Sequence, residues 1–197
     1  LYSEECPPDV NSRYQDGSFT YSMNRARRAA SRVPLNLKRF AIPSFKTFEI
    51  LVCDKPTGSW ATGVYWTFFN GEGIWLEGPA TEWFEPQTLD AVRKCHGILR
   101  AHKDAFAGDD VEALAPTTVE GVFANAFSAP GKRVFTLYNS HPETVTAEVL
   151  RLPHKPGRRY EDAWNGKPLT PRVVGRDAYL RVTIGPQEAG CVVAHDR

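Results

Sequence analysis

The stretch "VYWTFFNGEGIWLEG", residues 64–78, decides how the front of the chain is read. Val64–Phe69 carries no charge, and the run stops at Asn70-Gly71, a pair that tolerates the left-handed backbone of a tight turn. A short uncharged run bounded by a turn signal has the pattern of a strand covered on both faces, as in parallel sheets. Downstream lies the clearest helical pattern in the chain, "PQTLDAVRKCHGILRAHKDAF" (86–106). Pro86 suits a first helical position. Leu89, Val92, Cys95, Leu99, His102 and Phe106 recur at spacings of three and four, which predicts one apolar face. Upstream, Phe48–Val52 is a second β-prone run. Ser18–Val33 reads as a helix with Arg25, Arg27 and Arg28 on its solvated face and Pro34 as its stop.

The character changes at "AGDDVEALAPTT" (107–118), a run of small, acidic and Pro residues that suits an interdomain connection. Beyond it, "DAYLRVTIG" (177–185) alternates, with Ala178, Leu180, Val182 and Ile184 on one face. "KRVFTLYN", "TVTAEVLRL" and "GCVVAH" read as further strands, with turns at Asn165-Gly166 and Gly185-Pro186. Short strands separated by turns, with no helical pattern, predict an antiparallel sandwich. The fold class is therefore α/β plus all-β, divided at 1–112 and 113–197. The strands of the first part are of the two-faced kind and are too few to close a sheet, so that part needs more protein around it.

Composition narrows the function. Lys plus Arg (24) nearly balances Asp plus Glu (23), which gives no electrostatic case for nucleic acid or an acidic membrane. No apolar run reaches the ~18 residues of a membrane helix. The four cysteines, Cys6, Cys53, Cys95 and Cys191, are scattered without a C-x-x-C pair, which speaks against a zinc site or a redox dithiol. No metal or cofactor is read. The chain starts at Leu1 with no signal-like stretch and reads as the C-terminal part of a longer polypeptide. Its compartment stays open, with secretion and the periplasm both compatible.

Run together, βα units ending in a long helix and followed at once by a small all-β domain resemble the C-terminal part of a TIM-barrel glycoside hydrolase. "VYWTFFNGEGIWLEG" looks like an eighth barrel strand with its loop, and "LDAVRKCHGILRAHKDAF" is similar to the final barrel helix. "NAFSAPGKRVFTLYN" and "YEDAWNGKPL" are phrases of the appended β-sandwich. The resemblance implies a (β/α)8 barrel represented by its last βα units, and the N-terminal part of that barrel as an obligatory companion. It also implies hydrolysis of O-glycosidic bonds in a carbohydrate by paired carboxylates. On that alignment "LYSEE" is the end of the sixth strand, on the rim where this fold keeps its chemistry. Glu4 or Glu5 then becomes the general acid, with Glu4 favoured because it follows the apolar start more closely, and the partner carboxylate lies on an earlier strand.

Candidate substrate-binding residues follow from the same placement. Glu49, alternating with Phe48 and Ile50, is expected at the barrel mouth or paired with a cation, and Asp54 lies at the same edge. Trp66, Asn70, Glu72 and Trp75 surround the proposed last strand and its loop, where rings stack on sugar C–H faces and polar groups hold hydroxyls. Against each stands a plainer role: solvated loop acids for Glu4 and Glu5, barrel core for Trp66, a core histidine for His102, and a hairpin anchor for Trp164. The alternative function is a non-catalytic carbohydrate-binding or structural sandwich, which predicts an exposed aromatic row on that domain.

Overall fold

The computed structural model describes residues 3–5, 9–20, 33–51, 60–76 and 78–196. The expected helix beyond Thr20, Val52, Asp54, Cys6 and Cys53 lie outside the described residues. Four short strands, β1 (Ser3–Glu5), β2 (Gly17–Thr20), β3 (Lys46–Ile50) and β4 (Gly73–Trp75), form one sheet in chain order, every pair parallel. Helices α1 (Leu37–Ala41), α2 (Trp60–Phe69), α3 (Ala80–Trp83), α4 (Pro86–Ala101) and α5 (Lys103–Ala107) accompany them. This is an arc of a (β/α)8 barrel comprising its last βα units. No helix among the described residues is long and apolar enough to cross a membrane.

Two sequence expectations are corrected here. Val64–Phe69 is not a strand but the body of α2. A helix apolar all round is one buried all round, and α2 is in that position. Val64 and Phe68 are fully buried in a cluster with Val92, Cys95 and Ile98 of α4, while Trp66 and Phe69 pack edge-on or tilted against Tyr138 of the second part. Ser18–Thr20 is likewise strand rather than helix. With that extra strand, β1 stands fourth from the end of the ring, so it takes the fifth place and not the sixth.

The predicted α4 is present, with Pro86 in its first turn and Thr88, Ala91, Val92, Cys95 and Ile98 buried. It stops at His102, whose φ of −121° breaks the helix before α5 resumes. The second part holds a six-stranded sheet in the order β10-β9-β13-β7-β6-β5 and a three-stranded sheet β11-β12-β8. Their strands are β5 (Val111–Ala115), β6 (Val122–Ala129), β7 (Lys132–Asn139), β8 (Val145–Pro153), β9 (Arg159–Asp162), β10 (Lys167–Leu169), β11 (Arg172–Val174), β12 (Asp177–Ile184) and β13 (Ala189–His195). All their pairings are antiparallel. Ala178, Leu180, Val182 and Ile184 point inward as their alternation predicts, joining Phe135, Leu137 and Leu150 between the sheets.

The larger sheet has a second apolar face. Phe127, Val134, Trp164, Cys191 and Val193 pack on the barrel side with α2, α4 and α5, so one continuous core joins the two parts. The contact is also polar. Asn125 Nδ2 and Thr136 Oγ1 both donate to the carbonyl of Phe69, at 2.9 and 2.6 Å, satisfying an orphan acceptor at the end of α2. Gly71 turns the chain directly after it with φ +64°. A Cβ there would come within 2.6 Å of Phe127 Cζ, so only glycine meets both demands.

Candidate active site

Strands of a parallel barrel deliver their last residues to one rim, the usual seat of chemistry in this fold. The rim of the arc is built from Glu5, Thr20, Ile50 and Trp75. Pairing fixes which residues share a face. Glu5 pairs with Phe19, Phe19 with Phe48, and Phe48 with Gly73; Glu4 pairs with Ser18, and Ser18 with Thr47. Exposure identifies the faces. Phe48 is 43% exposed and Trp75, two residues on from Gly73, is 45%, whereas Ser18 and Thr47 are 0% and 3%. The Glu5 row therefore belongs to the concave interior of the barrel and the Glu4 row to its helix-covered outside.

Within the interior Phe19 and Trp75 meet edge to face, ring centroids 4.9 Å apart, across the intervening strand. Past β4 the chain turns at Gly78, φ +83°, and Trp83 of α3 lies against that turn with 53% of its surface open. Phe19, Trp75 and Trp83 thus give the rim an aromatic wall. Trp83 was not singled out from sequence, although its place in "EGPATEW", directly after the last strand, was the available signal.

The other predicted residues lie elsewhere. Glu49 alternates with Phe48 and so falls on the covered side, 1% exposed, where Thr20 Oγ1 donates to its Oε2 at 3.0 Å. That corrects its expected position at the barrel mouth. Trp66 sits on α2 against the sandwich rather than on a strand. Asn70 and Glu72 precede β4 and so occupy the base of the barrel, the end opposite the rim. There Asn70 ends α2: its Nδ2 donates to the carbonyls of Pro34 and Trp66, and its Oδ1 accepts from the Asn36 amide at 2.7 Å. Asn36 Nδ2 and Thr47 Oγ1 both donate to Glu72 Oε1, while Glu72 Oε2 is buried with no hydrogen-bond partner.

Burial drives the Glu72 carboxyl up to about 7, against the lowering pull of those two hydrogen bonds and of Arg39. The Arg39 guanidinium is itself held below its usual range by burial, with Glu72 and Asp109 opposing the shift. Arg39 Nη2 donates to the Phe106 carbonyl at 2.7 Å, and its guanidinium carbon lies 5.4 Å from the Phe127 ring centroid. This network ties the foot of β3 and β4 to the last helix and the sandwich. It lies at the end opposite the rim, so of the five predicted binding residues only Trp75 ends a strand on the exposed rim.

No family model matches the chain, and no curated protein matches its sequence. Solved structures do. An α-amylase from Anoxybacillus superposes over 99% of this chain and 52% of its own, with TM-score 0.62 at 13% identity. The α-amylase of Geobacillus thermoleovorans, solved with acarbose, matches over 99% and 53% with TM-score 0.61 at 11% identity. A GH27 β-L-arabinopyranosidase from Geobacillus stearothermophilus matches over 98% and 50%, TM-score 0.55, at 9% identity. The chain has the fold of the C-terminal half of a glycoside hydrolase. It spans about half the length of these structures. At such identities the likeness carries the architecture and not the chemistry.

Proposed function

We propose that the complete protein hydrolyses O-glycosidic bonds at the rim of the closed barrel, with Glu5 as general acid and a carboxylate from the remaining barrel strands as its partner. The observation that supports this is the register: Glu5 ends its strand in the row of Phe19 and Phe48 that belongs to the interior, and Glu4 ends in the covered row of Ser18 and Thr47. That position pairs with Phe19, whose ring meets the exposed Trp75, so in this reading a sugar stacked on the wall presents its bridging oxygen to the end of β1. Phe19, Trp75 and Trp83 are the substrate platform of this reading. Among the described residues the exposed large apolar side chains of the sandwich are Leu114, Val173 and Val174, none aromatic, which does not favour a sandwich acting alone through an aromatic row.

The test uses the full-length protein and a panel of aryl α- and β-glycosides. Glu5→Gln is expected to lose ~10²–10⁴ in kcat on substrates with poor leaving groups, the range of general-acid assistance. It should lose far less on dinitrophenyl glycosides, whose leaving group needs no proton. Glu4→Gln is expected to keep both activities. Full activity of Glu5→Gln on every substrate that the native protein cleaves removes Glu5 from the mechanism.

A further inference from the structure

Two cavities lie at the hairpin formed by β9 and β10. One, of about 400 Å³, lies where α4 meets the sandwich and is lined by Lys94, Thr144, Trp164, Asn165, Thr183 and Glu188. The other, of about 420 Å³, is lined by Arg159, Tyr160, Glu161 and His195, with Gly166 and Pro168. Lys167 forms a wall of both. Each volume is that of a small-molecule site, and the shared Lys167 makes the two adjacent.

We propose that these cavities form one groove that binds a neutral polysaccharide chain and holds the enzyme on its polymeric substrate. The inference rests on the glycosidase reading and adds a second place where that substrate is held. The lining has the chemistry of a hydroxyl-rich, uncharged ligand. Lys94 and Lys167 donate, Glu188 accepts, and Thr144 and Thr183 do either. Donors and an acceptor thus stand side by side, as the vicinal hydroxyls of a sugar require.

The groups are also held in place. Trp164 is 5% exposed and its Nε1 donates to Glu188 Oε1 at 3.2 Å, while Lys94 Nζ lies 4.1 Å from its ring centroid. The Asn165 amide nitrogen and Nδ2 are both tied to the Asp162 carboxylate, at 3.0 and 2.8 Å, and its side-chain oxygen is left as an acceptor. Preorganised polar groups beside a fixed ring lose little freedom when a sugar docks. In the second cavity the His195 ring stands 3.4 Å from the Glu161 carboxylate, again a donor beside an acceptor.

Native gels of the full-length protein cast with soluble starch, galactomannan or xylan test the groove by retardation. The native protein should be retarded by at least one of the three. Lys94→Met/Lys167→Met and Glu188→Gln should each weaken that retardation about tenfold in Kd, with thermal melting and cleavage of a short aryl glycoside unchanged. Glu5→Gln should be retarded as the native protein is. Retardation by none of the polymers, or undiminished retardation of the groove variants, overturns the groove. If only Glu5→Gln loses retardation, binding belongs to the rim and the glycosidase reading stands without the groove. Retardation lost in the groove variants of a protein that cleaves no glycoside leaves a binding groove without the proposed catalysis.

Discussion

The barrel arc and the sandwich solve the problem of covering a sheet in opposite ways. Every strand of the sandwich finds its partner through antiparallel pairing within residues 111–195, and the inner positions of β12 and β8 are closed over by the facing sheet. The arc is covered on its outside by α2, α4 and the base network, while its inside presents Phe48 at 43% and Trp75 at 45% exposure. Antiparallel hairpins complete themselves locally; a parallel arc is completed only by the rest of its ring. The seam between the two is therefore where the arc gains cover from this chain, and α2 is apolar on all sides because it lies in that seam.

That contrast can be broken at the seam. Phe127→Ala removes the ring that touches Phe106, Phe40 and Arg39 and sits over Gly71. The expected loss is ~3–5 kcal/mol in denaturant unfolding, the range for a buried phenylalanine. A loss under about 1 kcal/mol shows that the arc does not depend on the sandwich.

The base network sharpens the comparison through pH. Glu72 titrates near 4.5 when unfolded and at about 7 when folded. Between these values the folded state keeps a proton that the unfolded chain has released, so stability falls as pH rises through that window, by about 3 kcal/mol when complete. The effect is absent below about 4.5 and constant above about 7. Melting temperatures of the native protein and Glu72→Gln, measured from pH 4 to 8, should show a fall in the native protein that the variant lacks. Parallel curves remove the buried carboxyl from the account.

Asn125→Ala tests the polar half of the seam. It withdraws one donor from the Phe69 carbonyl and leaves the Leu114 amide, held by Asn125 Oδ1 at 2.9 Å, without that acceptor. A cost of ~1–3 kcal/mol is expected for buried groups stripped of a partner. The smallest effect belongs to the sandwich surface, where Arg172 grips Glu148 with two bonds of 2.6 and 2.5 Å. Both side chains face solvent, so Arg172→Ala should leave the unfolding midpoint unchanged within error. A clear shift there would mean that the sandwich draws stability from its surface as well as from its two cores.

Much of this plan was legible in the chain. The alternation of 177–184, the Asn165-Gly166 turn and the spacing of α4 each point to one local structure, because each has a single buried side. Val64–Phe69 was not legible. Its burial comes from the last barrel helix on one side and the sandwich on another, and a run apolar in every direction has the same pattern in a helix as in a strand. Three-residue strands such as β4 are too short to show any period. Asn70 and Glu72 read as rim residues only with the strand set six residues early, which exchanges the top of the barrel for its base.

The order of residue types along the chain determined that an α/β arc precedes an antiparallel sandwich, since periodicity and turn chemistry are local and survive without partners. Tertiary structure alone decided which glutamate pairs into the row of Phe19 and Phe48. Rows alternate with every residue of a strand, so Glu4 and Glu5 exchange rows on a shift of one, and only pairing with β2 sets that phase.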